Sequence, residues 1–80
     1  MRDLPRALVR LLLLALAAAL DGKGVVPTDV YQEIYLDRLR HHNMMSLEGG
    51  DFGEFYLLTD RGRREALRQV AQWSSERTLH

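Results

Sequence analysis

Apolar residues recur along the chain with two different periods, and the changes between them divide the sequence into elements. From Leu4 to Leu20 the spacing is helical: Leu4, Leu8, Leu11, Leu12 and Ala15 fall on one side of a helix, and Val9, Leu13, Leu16 and Leu20 on another. Asp3 offers a cap, Pro5 suits the first turn, and Gly22 and Gly24 end the run. A second helical stretch is predicted at about 29–42, opened by Pro27 and capped by Thr28 or Asp29. Its phase is uneven. Val30, Tyr31 and Ile34 share a face, while Leu36 and Leu39 lie well round the cylinder, so the pattern allows two short helices meeting near Tyr35 or one helix buried on two sides.

The period then shortens. "MMSLEGGDFGEFYLL" reads as a β-hairpin over 44–58 with a five-residue connection, its glycines Gly49, Gly50 and Gly53 serving the turn. A phosphate cradle is the wrong reading of those glycines, because no lysine accompanies them and Glu48, Asp51 and Glu54 repel phosphate. Glu54 to Leu58 form the second strand, and Thr59 caps a closing helix predicted at 60–76. Gly62 lets that helix pass close to the sheet, with Ala66, Leu67, Val70 and Trp73 as its buried stripe.

These elements make a single α+β domain over residues 1–80, since a chain of 80 residues has apolar surface for one core and not for two. With 46% hydrophobic and 28% charged residues it has an ordinary globular composition. It lacks cysteine, which removes disulfides, thiolate nucleophiles and cysteine-based zinc sites and agrees with a cytoplasmic setting. The apolar run Leu11–Leu20 follows Arg2, Arg6 and Arg10 as a signal peptide would, but it serves better as a core helix. It is shorter than the roughly 20 apolar residues that cross a bilayer, so no membrane association is expected. One small domain covers only one of the two stripes of this helix, so Val9, Leu13, Leu16 and Leu20 are expected at a homodimer interface.

A net charge of zero hides a segregation. Residues 27–60 carry Arg38 and Arg40 against seven carboxylates, whereas residues 61–80 carry five arginines against Glu65 and Glu76. Residues 1–26 have four cations against two carboxylates. Catalytic chemistry is not indicated: Ser46, Ser74 and Ser75 have no evident base, and no cofactor motif occurs. Glu33, Asp37 and His41 recur every four residues, but over two helical turns they spread too far for a compact metal site. Neither an enzyme, a metal nor a cofactor is expected.

The segment "EFYLLTDRG" resembles the end of a winged-helix domain of the MarR and PadR types of transcriptional regulator, where a wing strand reading Y-x-L-T-x-x-G runs into a carboxy-terminal helix. The matching residues are Tyr56, Leu58, Thr59 and Gly62. The similarity extends back through "LDRLRHHNMMSLEGGDFG", which resembles the last turns of a recognition helix, a wing strand and the wing, about a third of the chain in all. Two features depart from that pattern. Only the nine residues Pro27 to Tyr35 separate Val25-Val26 from "LDRL", short for a complete helix-turn-helix, and the wing is acidic where DNA-binding wings usually carry lysine or arginine.

The resemblance implies a DNA-binding transcriptional regulator. Arg38, Arg40, His41, His42 and Asn43 would then sit at the end of the helix entering the major groove, with Arg61, Arg63 and Arg64 on neighbouring phosphates. A dimer through the first helix would match a two-fold site. The alternative is a winged-helix-like interaction module, such as a small phage- or plasmid-type inhibitor of a nucleic-acid enzyme. Asp29, Glu33, Asp37, Glu48, Asp51 and Glu54 would face a basic protein partner, with Phe52 as an anchor. Solvated surface with local helix pairing explains both charge sets equally well, and the residues leave the partner open.

Overall fold

Helix α1 spans Arg6–Leu20 in the computed structural model, which describes residues 4–51 and 53–78, the side chains of 75–78 excepted. The expected cap Asp3 and anchor Phe52 lie outside the described residues. The carbonyl of Pro5 accepts from the amides of Leu8 and Val9 at 3.0 and 3.1 Å, and among the described residues no side chain caps this start. At the other end Gly22 turns left-handed at φ 72°, where a residue with a side chain would be strained. That turn lets the amides of Gly22 and Lys23 close onto the carbonyls of Ala19 and Ala18 at 3.0 and 2.8 Å. The face anticipated for the core is the buried one: Leu8, Leu11, Leu12 and Ala15. Of the second stripe, Val9, Leu13 and Leu16 are half-buried, and Leu20 is 81% exposed.

The chain between α1 and the next helix is pinned rather than loose. Val25 exchanges two 2.8 Å backbone hydrogen bonds with Tyr56, an isolated antiparallel bridge to the hairpin. A side chain at Gly24 would meet Phe55 Cδ2 at 2.6 Å, so glycine there admits the phenyl ring.

Helix α2 is one helix, Val30–His41. Asp29 accepts from the amide of Gln32 at 2.8 Å, and Gln32 Oε1 accepts from the amide of Thr28 at 3.0 Å, so both ends of the first turn are satisfied. The uneven apolar phase has a simple outcome that differs from both expected ones. Leu36 and Leu39 enter the core while Val30, Tyr31 and Ile34 stay in solvent, so a single helix is buried on one side only. Between Val25 and the first strand there is therefore one helix where a helix-turn-helix has two.

Strands β1 (Met45–Gly50) and β2 (Gly53–Leu58) form the antiparallel hairpin, in register from Met45↔Leu58 to Gly50↔Gly53. The connection is two residues, not five, because Gly49 and Gly50 continue the ladder, and of the three hairpin glycines Gly53 alone takes positive φ, 112°. Side chains alternate, so Met45, Leu47, Glu54, Tyr56 and Leu58 share one face of the ribbon.

Helix α3 spans Asp60–Thr78. The hydroxyl of Thr59 accepts from the amide of Gly62 at 3.0 Å, the capping role expected of it. Gly62 packs on the backbone of Met44, and a Cβ there would collide with the Met44 carbonyl and approach Leu58 Cδ1 at 2.9 Å. Ala66 is fully buried, but the rest of the anticipated stripe is not: Leu67 is 52%, Val70 39% and Trp73 60% exposed. Nineteen residues make a rod of about 28 Å, and α3 outruns the body that covers its start, as the extents of 48 × 25 × 21 Å record. The core joins all elements through Leu12, Leu36, Leu39, Met45, Tyr56 and Ala66.

Gly62→Ala should lower stability by about 2 kcal/mol through overpacking against Met44. Gly49→Ala, with open space around it, should change stability by about 0.5 kcal/mol or less, in the stabilising direction. Thermal denaturation of both variants checks the contrast.

Candidate nucleic-acid interface

The end of α2 and the start of α3 meet at one junction. Asn43 takes the left-handed conformation, φ 63°, and the amides of Asn43 and Met44 close onto Arg40 and Leu39 carbonyls at 2.9 Å each. Asn43 is thus the residue that stops α2, a backbone role that residue type alone did not assign. Its carbonyl then accepts from the hydroxyl of Thr59 at 2.6 Å, and the amide of Thr59 donates to Met44 at 3.1 Å. Thr59 therefore caps α3 with its lone pair and holds the end of α2 with its proton.

The consequence is that two basic groups distant in sequence flank one junction. Arg38, Arg40, His41, His42 and Asn43 lie before it and Arg61, Arg63 and Arg64 after it, all exposed. Not all are equally available. Asp37 Oδ1 accepts from Arg40 Nε and Nη2 at 2.9 and 2.6 Å, and this bond, with the charge of Asp37, raises the pKa of Arg40 above its ordinary value. His41 Nδ1 lies 2.8 Å from the Asp37 carbonyl and 3.6 Å from Asp37 Oδ2. The cations of the last α2 turn also complement the negative end of the helix dipole, a structural role that needs no ligand. Arg38, Arg61, Arg63 and Arg64 form no ion pair among the described residues.

Glu65 sets the inner boundary of this surface. It is buried and accepts from Arg68 Nη2 at 2.6 Å, Arg68 Nε at 2.9 Å and Gln69 Nε2 at 3.1 Å. Hydrogen bonding from Arg68 is the largest influence and holds its carboxyl below the usual range, against the opposing effect of burial.

The acidic set does not form one face. Glu33, Asp37 and Glu54 line a cleft between α2 and the hairpin with Val30, Ile34, Leu47 and Tyr56. Asp29 caps α2 and lines a separate depression with Arg6 and Arg10. Asp51 lies at the hairpin turn beside a third cleft that holds Lys23, and Glu48 sits on the ribbon face opposite Leu47. Tyr56 at the floor of the first cleft is not among the residues expected at a site, although alternation along Glu54, Tyr56 and Leu58 already puts it beside Glu54. Of the run Glu33, Asp37 and His41, only the last two touch, and among the described residues no three metal-ligating side chains gather. No helix among the described residues is long and apolar enough to cross a membrane.

Because the Glu65 carboxyl is depressed in the folded protein, its contribution is present above the unfolded carboxyl pKa and is lost as pH falls through the folded value. Glu65→Gln should therefore cost about 1 kcal/mol at neutral pH and progressively less in acid. Urea unfolding from neutral pH down through the carboxylate range measures this convergence. Compared with family models, with curated proteins and with solved structures, the chain matches none.

Proposed function

We propose that the chain is a dimeric DNA-binding regulator of transcription that grips the duplex backbone at the α2–α3 junction. The observation that carries this reading is the Thr59–Asn43 hydrogen bond, which sets the exposed Arg38 on one side of a junction and Arg61, Arg63 and Arg64 on the other. Four exposed cations in the segments that flank the junction would raise a local positive potential that the net charge of zero conceals. Neutralising phosphates with such cations releases condensed counterions, which supplies affinity for any duplex sequence. Arg40 and His41, already engaged by Asp37, contribute less.

The wing takes a minor part in this proposal. Glu48, Asp51 and Glu54 on the hairpin oppose phosphate, so the ribbon stands off the duplex. Base reading falls to Arg38, His42 and the carboxamide of Asn43 at the exposed end of α2.

A second copy is proposed to cover the apolar surface that α1 and α3 leave in solvent. Leu20, Leu67 and Val70 are exposed, and Val9 and Leu13 line a cleft of about 530 Å³ that reaches Trp73. An apolar band along a protruding helix suits association with its own copy, giving the two-fold arrangement a palindromic site requires.

Fluorescence anisotropy with a mixed-sequence duplex should give binding that weakens steeply with salt. The combined Arg61→Ala, Arg63→Ala, Arg64→Ala variant should fold normally and reduce the log–log salt slope by about 0.9 for each phosphate it no longer neutralises. Absence of binding at low salt, or an unchanged slope in the variant, would discard the reading. Light scattering should return twice the chain mass, and Val70→Glu the single mass; a monomer at all concentrations would remove the dimer.

A further inference from the structure

The cleft between α2 and the hairpin combines features that DNA binding leaves unused. It has a volume of about 390 Å³, and its walls are Val30, Glu33, Ile34 and Asp37 from α2 with Leu47, Glu54 and Tyr56 from the ribbon. Three carboxylates from two elements therefore line a space whose remaining surface is mostly aliphatic. Glu33 and Glu54 form no ion pair among the described residues, whereas Asp37 is engaged, its Oδ1 by the Arg40 guanidinium and its Oδ2 3.6 Å from His41 Nδ1.

An independent feature points to a ligand. Tyr56 is only 5% exposed, yet its hydroxyl has no hydrogen-bond partner among the described residues. No fully sealed side-chain oxygen or nitrogen among them lacks a partner, so this hydroxyl reaches the surface, and the surface it lines is the cleft. A buried phenol ordinarily finds a partner, and here the partner must come from outside the chain or from solvent. Burial, and then the charges of Asp37 and Glu33, raise the Tyr56 pKa above its ordinary value, so the group stays protonated and able to donate.

We infer that this cleft is a docking site for a cationic, apolar segment of another protein: a lysine or arginine enters among Glu33, Asp37 and Glu54, its apolar neighbours pack on Val30, Ile34 and Leu47, and Tyr56 donates to a backbone carbonyl. Nucleic acid is excluded by charge, since each phosphate would approach three carboxylates. A free polyamine satisfies the carboxylates but leaves the aliphatic walls in water, so the surface favours a polypeptide in which the two chemistries alternate. The site lies between α2 and the ribbon, and its lining includes none of Arg38, Arg61, Arg63 and Arg64.

The test is binding of labelled synthetic peptides to the full chain. A peptide alternating lysine and leucine should bind, one alternating lysine and serine should bind about tenfold more weakly, and one alternating glutamate and leucine should not bind. Glu33→Gln with Glu54→Gln should weaken the lysine–leucine peptide about tenfold, and Ile34→Ala and Tyr56→Phe should each weaken it about threefold, magnitudes ordinary for rim charges and single contacts. The first three substitutions fall on exposed residues and should keep the fold, checked by circular dichroism. The Arg61, Arg63, Arg64 variant should bind the peptide as the parent does, which separates this site from the DNA reading. Failure of the lysine–leucine peptide to bind, equal binding of the lysine–serine peptide, full competition by spermidine at matched charge, or parental affinity in the Glu33, Glu54 variant would each overturn the inference.

Discussion

One hydroxyl group holds the two halves of the molecule in place. Thr59 accepts from Gly62 and donates to Asn43, so the start of α3 and the end of α2 cannot move independently without breaking one of these bonds. The contact works only because both neighbours are unusual. Asn43 tolerates the left-handed backbone that aims its carbonyl at Thr59, and Gly62 has no side chain to hold α3 off Met44. Replacing either with a branched residue would open the junction, and the arginines that flank it would disperse. The Val25–Tyr56 bridge plays the corresponding part on the other side of the ribbon, tying the α1–α2 connection to the same strand that leads into Thr59.

The junction also separates the charges. Along the sequence the acidic middle and the basic end run into each other at Asp60 and Arg61. In three dimensions the carboxylates divide among the cleft beside the ribbon, the cap of α2 and the hairpin tip, while the arginines of α3 project at its start. Asp37 stands at the boundary and neutralises Arg40, so the two surfaces remain distinct across a single turn of helix. A chain of no net charge thereby carries local surfaces of opposite sign.

Much of the architecture is legible from local signals. The inner stripe of α1, the Thr59 cap, the close pass at Gly62 and the α+β composition each follow from a few neighbouring residues, and each is present. The misreadings share another cause. Periodicity tells which residues lie on one face but not whether anything covers that face, so Leu67, Val70 and Trp73 look like part of a core that in fact ends before them. The same gap leaves α2 with two possible organisations in the sequence, when its second apolar group simply remains in solvent. Gly49 and Gly50 suggest a turn because glycine permits turns, yet permission is not requirement, and the ladder runs through both. For the candidate interface, residue types are readable, but the pairing of Asp37 with Arg40 is a matter of rotamer, and the meeting of Asn43 with Thr59 joins positions sixteen residues apart in sequence. The cleft around Tyr56 needs the packing of helix on ribbon before it exists at all.

Amide NMR titration with a short duplex tests the central claim most directly, because it reads position along the chain rather than affinity. Shifts should concentrate at residues 38–43 and 59–64, on both sides of the Thr59 junction, and leave residues 47–56 of the ribbon unmoved. Shifts centred on the ribbon, or none anywhere at low salt, would contradict the assignment of this junction as the nucleic-acid surface.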